Sequence, residues 1–229
     1  MLKVCSYNIR KAVGLDRRRD PERILAVLRE VDADVVALQE ADRRFGARVS
    51  ALPLQLIETM SPYRAVPLTT RPDSIGWHGN AILVRRDIVV EDAAVVPLPT
   101  IEPRGAISAD LALGGVRVRV VGMHLDISGM RRRHQIRAVL AHVEGRPRVD
   151  ATIMMGDLNE WSTHGGALRE FARYQVLAPG RSFHASRPVA QLDRVIVDRG
   201  CAVEGCGVHH SALAARASDH LPVWARLRV

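Results

Sequence analysis

A set of polar residues recurs in one setting along this chain. Asn8, Glu40, His124, Asp157, Asn159 and Asp193 stand at or just beyond the end of an apolar run, and Asp219-His220 stand just before the last one. Carboxylates and amides dominate the set. Such groups suit the hydrolysis of a phosphodiester, which needs an activated water in line with the leaving oxygen and stabilisation of the charge that builds on the non-bridging oxygens. Oxygen ligands such as Glu40, Asp219, Asn8 and Asp157 fit a hard cation, Mg²⁺ or Mn²⁺, which keeps several waters and takes few protein ligands. An Asp–His pair such as Asp193–His220 would hold the imidazole tautomer and favour the imidazolium near a phosphate. Zinc fits less well, because no His/Cys cluster has finger or HExxH spacing. No G-x-S-x-G elbow, phosphate-binding G-x-x-x-x-G-K-[ST] loop or G-x-G-x-x-G turn is present, so serine-hydrolase, P-loop and Rossmann chemistry lack their first signal. Taken singly, each residue has a bland reading: Asn8 a strand-end turn, Glu40 a helix N-terminal charge, His124 a satisfied core histidine. Convergence is the hypothesis, and it requires elements that aim these side chains into one cleft.

The elements can be read from periodicity. Lys3–Ile9 alternates as an opening strand, and Asp20-Pro21 gives an N-cap with proline at the first helical position, ahead of Ile24, Val27, Leu28 and Val31 at helical spacing. Asp34–Gln39 reads as a buried strand that ends at Glu40. Ala81–Val84, Ile88–Val96, Ala106–Leu113 and Val116–His124 are β-rich, with Gly114-Gly115 as a hairpin turn between the last two. Ser128 is expected to cap a helix from about Met130 to His142, and Thr152–Met155 reads as a strand that delivers Asp157. A short helix around Ala167–Tyr174 and strands near Gln191–Val197, Ala202–Val208 and Leu221–Leu227 complete the pattern. Parallel βαβ units mixed with hairpins predict a layered α/β sandwich. The adjacent His209-His210 would point to opposite faces of a strand, so they read as loop or strand-end residues rather than as a metal motif.

At 229 residues with 47% hydrophobic and 25% charged residues, a single globular domain over residues 1–229 with a sizeable core is expected. No apolar stretch is long enough for a membrane span, the N-terminus has no signal-peptide pattern, and three cysteines cannot make a disulfide framework, so a cytoplasmic location is expected. The net charge of +8 favours an anionic partner: nucleic acid, a phosphorylated metabolite, or peripheral contact with an anionic membrane. Lys3 and Lys11 are the only lysines, and a biased genome composition could produce that arginine preference. No obligate protein partner is evident.

The segments SYNIR (6–10), ALQE (37–40), GNAILV (79–84), GMHL (122–125), MGDLNE (155–160), QLDRVIV (191–197) and SDHLPV (218–223) together resemble the ordered motifs of the endonuclease/exonuclease/phosphatase superfamily. The resemblance implies a four-layered α/β sandwich, with two mixed β-sheets packed face to face and helices outside. It implies that Glu40 binds the metal with Asn8 assisting, that Asp157 and Asn159 position the attacking water and the phosphate, and that Asp219 is a metal-binding aspartate. It further implies that His220 is the catalytic histidine oriented by Asp193, that His124 contacts the phosphate, and that Arg104 lies close behind the site.

Within the superfamily, Ala41-Asp42 replace the Thr-Lys of the exonuclease III branch, and GMHL stands where those repair enzymes have a tyrosine. Gln191-Leu192 stand where inositol 5-phosphatases carry Trp-Cys. The resemblance is therefore nearest the deoxyribonuclease and neutral sphingomyelinase side. The expected activity is a divalent-metal-dependent phosphodiesterase, nuclease-like, with phospholipid head-group cleavage or a non-catalytic basic nucleic-acid-binding module as alternatives. Arg17–Arg19, Arg43-Arg44 and Arg131–Arg133 follow runs that end in site candidates, so Arg17 and Arg131 are substrate-binding candidates; a mobile loop and a solvated helix turn are the bland readings. Trp77 and Trp161 either flank the cleft or belong to the core.

Overall fold

The computed structural model describes residues 1–43, 49–68, 74–100 and 104–229. The chain opens with β1 (Leu2–Asn8), α1 (Pro21–Val31) and β2 (Val35–Gln39). Asp20 caps α1, its carboxylate accepting from the Arg23 N–H at 2.9 Å, with Pro21 in the first turn. Asp32 closes the helix in the left-handed region at φ 53°. Next come α2 (Leu54–Met60), β3 (Tyr63–Ala65), β4 (Ala81–Arg85), β5 (Val89–Val96), β6 (Gly105–Leu113) and β7 (Val116–His124). Gly114 and Gly115, at φ 58° and 82°, make the two-residue turn between β6 and β7, where both positions need positive φ. The remaining elements are α3 (Gly129–Glu144), β8 (Ala151–Asp157), β9 (Tyr174–Leu177), β10 (Asp193–Asp198), β11 (Ala202–Val208), α4 (Ala214–Ala217) and β12 (Val223–Arg228).

The strands form two mixed sheets, ordered β11-β12-β1-β2-β4-β3 and β5-β6-β7-β8-β10-β9. Each holds one parallel pair, β1 with β2 and β7 with β8, and each pair is joined by a crossover helix, α1 or α3, as parallel pairing requires. Side chains alternate between two buried faces. On β2, Val35 and Ala37 enter the core between the sheets while Val36 and Leu38 pack with α1; on β10, Val195 and Val197 face the other sheet while Ile196 packs with α3. The result is the expected four-layered α/β sandwich. The sheets approach closely where Gly122 of β7 faces Ala37 of β2; a Cβ on Gly122 would stand 3.2 Å from that of Ala37.

Two local expectations need correction, and two elements have no counterpart in the sequence reading. The segment 167–174 is not one helix: a 3₁₀ turn over Gly166–Phe171 gives way to β9, because Tyr174–Leu177 pairs with β10 at the sheet edge. Ser128 precedes α3, but its hydroxyl makes no capping bond; Asp126 accepts from the Ser128 N–H at 2.8 Å instead. α2 and β3 had no clear periodic signal, since α2 buries only Ile57 and β3 is three residues long.

Candidate active site

Strand register assembles half of the site. Gly105, His124, Asp157 and Asp193 are consecutive partners across β6, β7, β8 and β10, so a single row at one end of the second sheet carries His124, Asp157 and Asp193. The first sheet ends beside it. Asn8 and Gln39 are register partners in β1 and β2, which brings Glu40 next to Asn8, while the antiparallel return of β12 sets Asp219 and His220 at the same end. Loops off rigid strand ends thus carry the polar groups.

The groups converge on Asp157. Its Oδ2 accepts from Asn8 Nδ2 at 3.0 Å and lies 3.4 Å from His124 Nε2 and 3.6 Å from His220 Nε2. On the other side of the imidazole, His220 Nδ1 is 2.9 Å from Asp193 Oδ2, which also accepts from the buried hydroxyl of Ser182. The Phe183 ring packs against that of His220 with centroids 4.8 Å apart. Burial alone would lower the basicity of His220, but Asp193 and Asp157 overrule it and raise its pKa to about 10. Burial alone would likewise raise Asp157, yet His220, His124 and the Asn8 amide hold its carboxyl well below the usual range. The arrangement at neutral pH is an imidazolium between two carboxylates.

Asp157, Asp193 and His220 bring ligand atoms within 4.8 Å of one another. The imidazolium already supplies positive charge there, so Glu40, Asp219 and Asn8, outside this trio, are the more favourable candidates to hold a cation. Glu40, in the left-handed region at φ 53°, directly follows Gln39, the register partner of Asn8. Burial would raise its pKa, but His124, Lys11 and Arg104 outweigh it and the net direction is down. The Lys11 ammonium is paired with Glu40 Oε2, and Arg10 Nε lies 3.4 Å from Asp219 Oδ2. A cationic nitrogen thus rests on each of the two carboxylates assigned to the metal, and an oxygen-only donor set of this charge fits Mg²⁺ or Mn²⁺.

Arg104 lies against His124, its NH1 3.1 Å from Nδ1. Asn159, at φ 50°, turns the chain so that its N–H reaches Asp157 Oδ1 at 3.0 Å and its side-chain amide donates to the Leu125 carbonyl at 2.9 Å. The arginine triplets divide. Arg131 is half-exposed, 3.7 Å from Asp126, whereas Arg132 is buried against Glu160 at 3.1 Å and the carbonyls of Asp126 and Ile127. Arg17 is exposed, and the contacts of its turn run to Arg23 and Arg216 rather than to the catalytic group. Arg19 does approach the site's loop, its Nε donating to the Lys11 carbonyl at 3.2 Å. Arg44 lies outside the described residues. Trp161 is exposed just after Glu160, and Trp77 is half-buried against Gly105. His209 follows β11 and pairs with Glu30 at 2.8 Å, away from any metal ligand set.

Five contributors are not among the motif-derived site residues. Ser182 and Lys11 lie outside the motifs, Arg10 closes SYNIR and Ser218 opens SDH; the Ser218 hydroxyl donates to the Asn8 carbonyl at 2.7 Å. Asp42, noted only as a departure from one branch, accepts from the Ser74 hydroxyl at 2.9 Å and the Gly79 N–H at 3.2 Å, which fastens the loop behind Glu40.

The model of the Endonuclease/Exonuclease/phosphatase family matches residues 5–220. No curated protein matches the chain in sequence. Among solved structures, the endonuclease/exonuclease/phosphatase from Beutenbergia cavernae is 25% identical, with a TM-score of 0.74 over 100% of this chain and 71% of that one. D. rerio TDP2 complexed with single-strand DNA product is 16% identical, at 0.76 over 100% and 99%. A Bacteroides thetaiotaomicron mannosyl-6-phosphatase is 20% identical, at 0.73 over 100% of each chain.

Proposed function

From the chain's membership of the endonuclease/exonuclease/phosphatase family, a family of phosphoester hydrolases, we propose that residues 1–229 form one catalytic domain that cleaves phosphodiesters, nucleic acid foremost, with Mg²⁺ or Mn²⁺. The observation that carries this reading is the buried Asp157–His220–Asp193 triad with Asn8, Glu40 and Asp219 around it. A non-catalytic binding module has no use for an imidazolium held between two buried carboxylates.

In this reading Glu40, Asp219 and the Asn8 side-chain oxygen Oδ1 would hold the cation, which when bound polarises the phosphate and offsets its charge. Asp157, held ionised, accepts a proton from the attacking water and keeps it in line. His220 presents Nε2 as a charged donor to a non-bridging oxygen, with Asp193 and Ser182 fixing its ring. His124, backed by Arg104, meets the phosphate from the second sheet, and Asn159 fixes the turn that aims Asp157. Arg131 and, more remotely, Arg17 contribute positive charge for a polyanion.

The proposal of nucleic acid rests on the +8 charge, the half-exposed Arg131 and the exposed Trp161 at the rim; the TDP2 structure is of a complex with single-strand DNA product. One observation favours a lipid head group instead: Ile127 and Val189, in loops, and Met130, in the first turn of α3, are also exposed, and aliphatic side chains cannot stack on bases. Among the described residues no helix is long and apolar enough to cross a membrane, so such contact would be peripheral. All three cysteines are free thiols, with burial pushing Cys5 up to about 12, which suits the reducing cytoplasm. The test is a hydrolysis panel with Mg²⁺ or Mn²⁺: plasmid DNA, RNA, sphingomyelin, phosphatidylinositol, inositol phosphates and bis-p-nitrophenyl phosphate. Nuclease activity supports the first reading, robust lipid cleavage without it the second, and no turnover on any of them overturns both.

A further inference from the structure

Lys11 clasps Glu40 twice. Its backbone N–H donates to the Glu40 carbonyl at 2.9 Å, and its ammonium pairs with Glu40 Oε2. The loop that delivers it is held in an unusual shape: Arg10, Lys11 and Ala12 are three consecutive non-glycine residues at φ 46°, 58° and 59°, a conformation that L-residues adopt only when surroundings enforce it. The Arg10 N–H on Asn8 Oδ1 at 3.1 Å and the Ala12 N–H on the Ile9 carbonyl at 2.8 Å enforce it here. The consequence is that side chains 10 and 11 deliver their charges to Asp219 and Glu40 respectively, the two carboxylates assigned to the cation.

The choice of lysine carries further information. Of the 33 basic residues only Lys3 and Lys11 are lysines, so arginine serves almost everywhere this chain places a cation. Lys3 has a local reason, since its ammonium donates to the Val31 carbonyl and lies 5.5 Å over the Trp224 ring. At position 11 the difference between the two side chains is one of grip. Arginine would fork both carboxylate oxygens and stay; an ammonium is a point charge on a flexible stem that releases one oxygen and swings to another anion.

We propose that Lys11 is an exchangeable occupant of the cation site: its ammonium holds Glu40 when no divalent ion is bound, yields that carboxylate to the ion, and turns to the substrate phosphate beside it. The inference rests on the metal-dependent reading above. Lys11 thereby couples three states. Ion binding must displace it, so it weakens resting affinity for the ion; once displaced, it adds a positive charge where the phosphate arrives, so it strengthens substrate binding.

The experiment is a Mn²⁺ titration of the full chain, with free Mn²⁺ followed by electron paramagnetic resonance, for the native protein, Lys11→Met and Lys11→Arg. Circular dichroism melts check folding, and Lys11→Gln serves if the methionine variant does not fold. Removing the competitor should tighten Mn²⁺ binding by roughly three- to tenfold, as expected for loss of a partly exposed ion pair and its charge. Lys11→Arg should bind Mn²⁺ several-fold more weakly than the native protein. At saturating Mn²⁺, Lys11→Met should raise KM for bis-p-nitrophenyl phosphate more than it lowers kcat. Unchanged or weaker Mn²⁺ binding in Lys11→Met overturns the exchange. So does equal affinity in the native and Lys11→Arg proteins, because charge alone would then account for the effect. An unchanged KM in Lys11→Met overturns the turn toward phosphate. Exchange behaviour without hydrolysis of any phosphodiester would leave this inference standing and sink the proposed function, whereas no Mn²⁺ binding by any of the proteins would overturn both.

Discussion

Asn8 and Asp157, 149 residues apart in the chain, are joined by a 3.0 Å hydrogen bond that runs from one sheet to the other. Both side chains are buried, so the bond has no water to replace it. Asn8→Ala should therefore cost about 1–3 kcal/mol of stability, the usual penalty for stranding a buried polar partner, and Asn8→Asp should cost more because it opposes two carboxylates. Thermal melts of the two variants check the order; a fully stable Asn8→Asp would show that Asp157 does not depend on this donor.

His220→Ala and Asp157→Ala should each reduce turnover by at least about a hundredfold, the scale of losing a preorganised donor to the phosphate oxygens for His220 and of general-base assistance for Asp157. Asp193→Asn should do less, since an imidazole remains and Ser182 still holds its neighbour. Steady-state rates with bis-p-nitrophenyl phosphate decide it, and an Asp193→Asn enzyme slower than His220→Ala would reverse the roles within the pair.

Stability should fall on the alkaline side. The pKa of His220 is raised from 6.5 to about 10 on folding, so the stabilisation it brings is complete below pH 6.5 and is lost as pH climbs through about 10. Asp157 is lowered from 3.8, so its share is present above that pH and is lost as pH falls through the lowered value. The two shifts describe one coupled pair and count once. Melting temperatures from pH 6 to 10.5 should drop more for the native protein than for His220→Gln; parallel curves would refute the assignment.

Activity should vanish in excess EDTA and return with Mg²⁺ or Mn²⁺. Glu40→Gln should raise the Mn²⁺ concentration needed for half-maximal rate without lowering the melting temperature, because one carboxylate supplies much of the binding charge. Undiminished turnover in EDTA would remove the cation from the reaction.

A polyanionic substrate should reveal itself through salt. Each phosphate contact contributes roughly 0.7–0.9 log units of affinity per log unit of salt, so replacing exposed Arg131 and Arg133 with glutamine, together with Arg17 and Arg18, should flatten the slope for DNA and spare hydrolysis of the small diester. Arg132 is excluded because its guanidinium braces Glu160 inside the fold. Equal loss on both substrates would assign these arginines to the chemistry or the fold.

The sequence made the strands legible because both faces of most of them are buried, which leaves dense apolar runs such as 35–39 and 151–157. Site candidates were legible for a related reason: a polar residue at the end of such a run is conspicuous. What escaped notice is positioned by contacts far along the chain. Ser182 matters only because β10 brings Asp193 to it, and Lys11 only because the chain folds its backbone onto Glu40. Asp42 looked like a mere substitution, yet it anchors Ser74 and Gly79 across more than thirty residues. Arg132 sat in a run that resembled a solvated face, and only the fold of the Glu160 loop buries it.

The close approach of Gly122 to Ala37 ties the spacing of the two sheets to one small residue. Gly122 lies two residues before His124 and Ala37 three before Glu40, so this contact adjoins the strand ends that carry the candidate site. A methyl at Gly122 would stand 3.2 Å from the Ala37 Cβ, so the two sheets would have to give by a few tenths of an ångström between Asn8, Glu40 and His220 on one and His124, Asp157 and Asp193 on the other. The fit between the two halves of the candidate site is thus set in part by the absence of one side chain.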